Sequence, residues 1–302
     1  MSDIKLFKMT GSHAEELKGK SVSLEKALQN FIERNLEALL GVKFLASEYS
    51  TGKNHGGRID SLGLDENGCP VIIEYKRSLS ESVINQGLFY LDWLMDHSGE
   101  FELLVLKRLG KKLSEAIEWS SPRLLCIAGD FTKYDEHAVN QMSRNIELIR
   151  YRQFEEGFLL LELVNAPKET GTTADKEGKS VTNKYPTVSQ LLEKADNNLT
   201  QLFEDLKAHL LSLGDDVQFG TLKFYFAFKR LRNFACVEVH PTAGKLLVYL
   251  KINPDSIRLE KGFSRDVRKI GHFGTGDLEL TIKNQGDFEK ANFLFLASYE
   301  GS

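Results

Sequence analysis

The chain has 302 residues, of which 41% are hydrophobic and 27% charged. This globular composition excludes a disordered chain, a collagen-like fibre and a membrane protein, and the length suggests two domains. No apolar run approaches the roughly 18 residues of a spanning helix, and the first residues lack a secretory signal. We therefore expect a cytoplasmic protein with no membrane partner. The three cysteines are widely spaced, form no zinc pattern and are interpreted as reduced, buried thiols.

The net charge of −4 is unevenly distributed along the chain. Residues 1–165 carry 20 Lys and Arg against 25 Asp and Glu, whereas residues 221–269 carry 11 basic and 4 acidic side chains. Such a basic surplus is typical of a surface that binds phosphate groups. The alternative is a solvated face without a partner.

The first part of the chain alternates helical and strand-like patterns. The opening helix should end where Gly41 follows the periodic apolar residues, and Asp65-Glu66-Asn67-Gly68 is a strong signal for a hairpin turn. The order predicts an α/β fold, a mixed sheet flanked by helices. The predicted helices are 24–40, 80–97, 111–119 and 134–144. The predicted strands are 43–49, 58–64, 70–76, 101–107, 123–129, 146–152 and 157–164.

A polar segment divides the chain. Residues 166–185 are rich in Gly, Thr and Lys and hold almost nothing apolar, so they are interpreted as a linker. It separates a domain at 1–165 from a smaller α+β domain at 186–302, and we expect the first domain to fold by itself. The second domain should contain one or two helices at 187–213, strands at 222–228, 236–239, 246–252 and 278–282, and a closing helix at 288–299.

The most informative stretch is the hairpin that carries Asp60, Glu74 and Lys76. Glu74 and Lys76 interrupt the end of a well-buried strand two residues apart, so both project from the same face. The turn returns Asp60 beside them, which predicts two carboxylates and an ammonium in one pocket. Burying such groups is costly unless they are used. Carboxylate oxygens suit Mg²⁺ or Mn²⁺, so we expect a site for a hard divalent cation.

These residues resemble the PD-(D/E)xK superfamily of restriction and repair nucleases, in motif and in the order of helix and strands. The resemblance implies a restriction-endonuclease-like sheet in which Asp60 and Glu74 are metal ligands. It also implies that the main-chain carbonyl of Tyr75 is a third ligand and that Lys76 is the catalytic lysine. Ile59 stands where the motif has proline, which weakens the motif as a pattern.

Further residues extend the resemblance around this centre. Gln86 and Tyr90 lie four apart on the second helix and are similar to the QxxxY element of RecB-like nucleases, which implies site roles for both. An acidic residue of the opening helix often completes such sites, and we favour Glu33 over Glu37. The region 24–94 looks closest to NucS-like endonucleases. Its Gly56-Gly57-Arg58 either lets the Arg58 guanidinium approach a phosphate or is a loop that needs glycine only for its turn.

In the second domain, basic and aromatic residues are interleaved. Such a pattern could stack bases and hold phosphates, or it could place the aromatic rings in the core and leave the charges in water. The aromatic residues are Phe224, Tyr225, Phe226 and Phe228, and the candidate phosphate contacts are Lys223, Lys229, Arg230 and Arg232. The segment resembles an uncharacterised domain sometimes labelled a predicted transport protein, a label that no membrane-spanning pattern supports.

The sequence thus predicts a Mg²⁺- or Mn²⁺-dependent endonuclease that hydrolyses phosphodiester bonds of nucleic acid, with DNA favoured as the partner. The alternative is a non-catalytic nucleic-acid-binding or protein-interaction module on the same fold. A homodimer is one option for its assembly.

Overall fold

The computed structural model describes residues 4–20, 25–52, 56–76, 82–165 and 186–302. The predicted linker at 166–185 lies outside the described residues. Within them the chain builds two large β-sheets with helices packed on them, in a mixed α/β architecture. No helix in this part of the chain is long and apolar enough to cross a membrane.

The first sheet has seven strands in the order β3-β8-β7-β6-β5-β4, with β9 paired to β8, and β1 and β2 form a separate hairpin. Strands β4, β5 and β6 are antiparallel, whereas β6, β7 and β8 run parallel. The strands are β1 Leu6–Thr10, β2 His13–Leu17, β3 Gly19–Lys20, β4 Val42–Ser50, β5 Arg58–Asp65, β6 Pro70–Lys76, β7 Arg123–Ala128, β8 Asn145–Phe154 and β9 Leu159–Leu163.

Helices cover both faces of this sheet, which confirms the predicted mixed sheet flanked by helices. One core lies between the sheet and the first two helices, and a second lies between the opposite face and the third and fourth. Alternate residues of the buried strand β6 serve the two cores, Ile73 facing the first and Ile72 the second. The helices are α1 Glu25–Arg34, α2 Leu36–Leu40, α3 Ser82–Asp96, α4 Ser98–Leu109, α5 Lys111–Ser114 and α6 Lys133–Asn140.

Several elements of the first domain differ from the sequence prediction, and the predicted helices at 111–119 and 134–144 are shorter, at Lys111–Ser114 and Lys133–Asn140. The predicted strand at 101–107 is wrong, because this segment belongs to α4. Its Phe101 and Val105, four residues apart, are buried, while Leu103 and Leu106 are exposed, which is helical spacing. The opening helix is divided at Asn35, and its second part ends as expected at Gly41, whose φ of 64° is left-handed.

The second sheet has six strands in the order β10-β11-β12-β13-β15-β14 and packs three helices on one face. Residues predicted as one strand at 222–228 instead span a turn and the start of β11. Phe226 and Phe228 enter the core, whereas Phe224 packs on the other side, against Phe273. The elements are α7 Val188–Glu193, α8 Asn197–Ser212, β10 Gln218–Thr221, β11 Phe226–Lys229, β12 Asn233–His240, β13 Lys245–Leu250, β14 Ser264–Asp266, β15 Leu278–Ile282 and α9 Gln285–Glu300.

The two sheets meet at a buried cluster of four charges. Arg123 donates to Asp65 at 2.9 Å and to Glu147 at 2.8 Å, and all three side chains belong to the first domain. Lys229 of β11 donates to Glu147 at 2.8 Å from the second domain. The three charges of the first domain sum to −1, so Lys229 neutralises the cluster. This contact argues against the expectation that the first domain folds by itself.

Neighbouring contacts extend the same interface. Tyr225 donates to Asn67 at 2.9 Å, and Glu66 accepts from the backbone N–H of Asn233 at 2.5 Å. Cys69 joins an apolar cluster formed mainly by the second domain. The turn that links β5 to β6 is therefore the docking point for the second domain.

All three cysteines are free and buried, as predicted. Burial raises the pKa of each thiol, and that of Cys236 rises to about 12. The thiolate forms of Cys69, Cys126 and Cys236 are accordingly suppressed at neutral pH.

Candidate active site

Strands β5 and β6 separate at the predicted site. Their ladder pairs Ser61 with Ile73, and beyond that pair two carboxylates take over the hydrogen bonding. Glu74 accepts the backbone N–H of Asp60 at 3.1 Å, and Asp60 accepts the backbone N–H of Tyr75 at 3.0 Å. The exchange holds both carboxylates in the opening between the strands, so the structure brings Asp60 and Glu74 together as the turn predicts.

Glu74 is the electrostatically unusual member of the pair. Its side chain is fully buried, and Oε2 has no hydrogen-bond partner among the described residues. Burial, and next the negative charge of Asp60, raise the pKa of Glu74 to about 8. An acid held in this condition is poised to accept a proton or a cation, because either one removes the cost of its buried charge.

Lys76 ends β6 two residues beyond Glu74, on the same face of the strand, and is half-buried. Its positive charge lowers the pKa of Glu74, against the larger effect of burial. Tyr75 turns its ring to the opposite core, where its hydroxyl lies 3.2 Å from Ser61 Oγ. The role of the Tyr75 carbonyl as a ligand stays a prediction.

Helix α3 brings Gln86 and Tyr90 to the beginning of β5. Gln86 Nε2 donates to the Tyr90 hydroxyl at 3.2 Å, and that hydroxyl accepts the backbone N–H of Arg58 at 3.2 Å. A Cβ at Gly57 would lie 2.6 Å from the Tyr90 ring, so glycine is required for this approach. Both residues thus support the strand that carries Asp60, and a direct role for Gln86 stays a prediction.

Glu33 of α1 contacts the same strand from the other face. It accepts from Ser61 Oγ at 2.7 Å and from Gln29 Nε2 at 2.9 Å. Glu37, the weaker candidate, points outward and pairs with Lys43 at 2.6 Å. Gln29, which donates to the Asp60 carbonyl, was not predicted from the sequence, since an isolated polar residue on an amphipathic helix carries no spacing signal.

The residues predicted to contact nucleic acid differ in their exposure and in their partners in the structure. Arg58 is exposed at the mouth of the site, 3.6 Å from Glu48. Lys229 is used in the interdomain cluster, and Arg230 pairs with Asp216 at 2.6 Å while lying over the Tyr299 ring.

The basic surplus of residues 221–269 is therefore partly neutralised by acids distant in sequence, and Lys229 and Arg230 do not carry the phosphate-binding prediction. Lys223 is exposed, and Arg232 lines a cleft of about 800 Å³ between the domains. For these two residues the prediction stands.

The donors at the centre fit a small divalent cation that keeps most of its water. No group of three or more His, Cys, Asp or Glu side chains able to hold a metal occurs among the residues that the structure describes. Mg²⁺ is commonly bound by one or two carboxylates together with water and substrate phosphate. The unpartnered Oε2 of buried Glu74, next to Asp60, is the kind of oxygen such an ion would bind.

Comparison with known proteins places the chain in a family. An uncharacterised protein of Haemophilus influenzae (strain ATCC 51907 / DSM 11121 / KW20 / Rd) is 30% identical over 292 residues, covering 93% of this chain and 94% of that protein. The chain belongs to the same family as that protein. Residues 188–290 match the family model of a domain of unknown function, DUF5655.

Two solved structures are similar to part of the chain. A repair endonuclease from Pyrococcus abyssi is 18% identical, with a TM-score of 0.29, over 43% of this chain and 49% of its own. An EndoMS–dsDNA2 complex is also 18% identical, with a TM-score of 0.24, over 43% of this chain and 47% of its own. In each case the matched region spans about half of the solved chain.

Proposed function

We propose that the protein is a divalent-metal-dependent nuclease that hydrolyses phosphodiester bonds, with DNA as the favoured substrate. The observation that carries the proposal is the opening between β5 and β6, where two carboxylates exchange backbone hydrogen bonds and Glu74 keeps an unpartnered oxygen. A purely structural hairpin would continue its backbone ladder and would have no use for a buried acid with one oxygen left without a partner.

In this function Asp60 and Glu74 would hold Mg²⁺ or Mn²⁺. The ion, when bound, would activate a water molecule for attack and offset the charge that develops on the phosphate. The raised pKa of Glu74 supports the assignment, because a cation near its free oxygen would stabilise the ionised form. Asp60 is oriented beside Glu74 by the hydrogen bond that it accepts from the Tyr75 N–H.

Lys76 would act on the phosphate and on the attacking water. Its ammonium lies on the face of β6 that carries Glu74, where it would stabilise negative charge on the pentacoordinate phosphorus and orient the nucleophile. Arg58, exposed two residues before Asp60, would contact a phosphate next to the scissile one. The second domain contacts the turn between β5 and β6, at the opposite end of these strands from Asp60 and Glu74.

The experiment is a cleavage assay with single-stranded, duplex and branched DNA and with RNA, in Mg²⁺, in Mn²⁺ and in EDTA. We expect cleavage with either metal, none in EDTA, and a loss of about 10³-fold or more in Asp60→Ala and Lys76→Met. Asp92→Ala is the matched control, since Asp92 is an exposed acid on α3. Equal cleavage by Asp60→Ala and the parent would refute the proposal. Binding of nucleic acid without cleavage would favour the non-catalytic alternative.

A further inference from the structure

Gln29 is a buried polar residue at the back of the candidate site. It lies on α1 with only 4% of its surface exposed, and its amide contacts β4 and β5. Its Nε2 lies 2.7 Å from the carbonyl oxygen of Asp60, 2.9 Å from Glu33 Oε1 and 3.2 Å from Ser47 Oγ. A side-chain amide has two N–H donors, so the two shortest contacts are satisfied and Ser47 competes as a third.

The neighbours of Gln29 fix the orientation of its amide. Lys26 donates to Gln29 Oε1 at 3.1 Å and also to Glu48 at 2.8 Å. Turning the amide over would place its oxygen against the Asp60 carbonyl and the Glu33 carboxylate, and its NH₂ group against an ammonium. The Lys26 ammonium on one side, and the Glu33 carboxylate and the Asp60 carbonyl on the other, therefore keep the NH₂ group of the amide directed at Asp60.

The contact matters because β5 leaves its ladder with β6 at this point. Asp60 donates its N–H to the Glu74 side chain and accepts from Gln29 at its carbonyl, so side chains bond both of its backbone groups. Holding that carbonyl sets the direction of the strand beyond Ser61. The direction of the strand sets in turn where the Asp60 carboxylate lies relative to Tyr75 N–H.

We infer that Gln29 is a positioning residue, which aligns Asp60 for divalent-cation binding and phosphodiester cleavage by fixing its main chain from the opposite face of the sheet. The inference rests on the proposed nuclease function for its catalytic consequence. Its structural part is independent of that function, because it concerns only the hydrogen bonds that Asp60 makes within the chain.

The test compares three variants of the full chain. Gln29→Leu removes the donors, and Gln29→Glu keeps the shape but presents oxygens to the Asp60 carbonyl and to Glu33. Leu28→Ala is the matched control, because Leu28 is buried on the same helix and packs in the apolar core. We expect both Gln29 variants to weaken Mn²⁺ binding, measured by calorimetry, by about 10-fold or more, and to lower kcat by a similar factor with KM for DNA little changed. Leu28→Ala should lower thermal stability without these effects.

Hydrogen exchange separates the inference from the function on which it rests. Gln29→Leu should lose protection at the backbone amides of Asp60 and Tyr75 relative to the rest of the sheet, whereas Leu28→Ala should not. Unchanged protection at these two amides would overturn the positioning role, whatever the activity. A parent that neither binds Mn²⁺ nor cleaves would refute the nuclease function, while selective loss of protection would still support the alignment of Asp60 by Gln29.

Discussion

Replacing Glu74 by glutamine tests the electrostatics of the site without requiring knowledge of the substrate. Glutamine has nearly the same shape and cannot ionise. In the folded, metal-free protein the pKa of Glu74 is raised to about 8, so the carboxyl group is mostly protonated at neutral pH, whereas in the unfolded chain it is ionised. Folding at neutral pH therefore takes up a proton. Each unit of difference between the folded and unfolded pKa values corresponds to about 1.4 kcal/mol in the free energy of unfolding.

The sign follows from the two pKa values. Below about pH 4.5 the acid is protonated in both states and contributes no penalty, and between about pH 4.5 and 8 the parent loses stability as the pH rises. At pH 7 the loss is about 3 kcal/mol as an upper value, since relaxation and water entry reduce it. The Glu74→Gln variant lacks this dependence. Its stability relative to the parent should therefore increase from acidic to neutral pH.

The assay is urea unfolding of parent and variant in EDTA across this pH range, repeated with saturating Mg²⁺. Asp92→Asn, an exposed acid on α3, is the control and should run parallel to the parent. Mg²⁺ should stabilise the parent and narrow its gap to Glu74→Gln, because a cation bound to the ionised carboxylate replaces the proton. Parallel curves for parent and Glu74→Gln in EDTA would refute the claim that burial destabilises this carboxylate.

Three further variants and one acid titration test the other parts of the structure. Lys76→Arg should retain metal binding but cleave at least about 10-fold more slowly, because a planar guanidinium does not reproduce a compact ammonium. Equal cleavage rates would mean that Lys76 only attracts the negatively charged substrate. Lys229→Met should lower the free energy of unfolding by about 3 kcal/mol, because it leaves Glu147 buried with one partner fewer. A decrease of less than about 1 kcal/mol would indicate a hydrated interface. Burial raises the pKa of Glu147, but the positive charges of Arg123 and Lys229 outweigh it and lower that pKa to about 2. The stability that the ionised Glu147 contributes should therefore be complete above about pH 4.5 and be lost as the pH falls toward 2. Acid titration monitored by circular dichroism measures this loss. Gly57→Ala should displace the Tyr90 ring and cost about 1–2 kcal/mol in thermal unfolding, whereas unchanged stability would show that the ring has room to move.

The centre of the site was predictable because local geometry determines it. A tight turn at 65–68 and the two-residue period of strands are enough to bring Asp60 opposite Glu74 and to place Lys76 on the same face. Both features are encoded within 17 consecutive residues of the sequence. The separation of the two strands at this point carries no such local signal, because it depends on side-chain acceptors that replace the ladder.

Other parts of the fold depend on partners that are distant in sequence. The apolar run that begins at Phe101 has the composition of a strand. Only its packing shows that it is a helix, because Phe101 and Val105 enter one core while Leu103 and Leu106 stay exposed. Lys229 was interpreted as a phosphate contact, but its partner Glu147 lies 82 positions earlier in the chain. Charge counts along a sequence cannot detect such pairs, and the basic surplus of residues 221–269 was overestimated for that reason.

The buried, protonated thiols give the protein a practical advantage for spectroscopy. A maleimide dye reacts with thiolate at an accessible sulfur, and Cys69, Cys126 and Cys236 offer neither condition in the folded state. A single cysteine introduced at an exposed position such as Thr242 would therefore be labelled selectively in the otherwise native sequence. Fluorescence from that dye would report directly on whether a nucleic acid passes along the second domain.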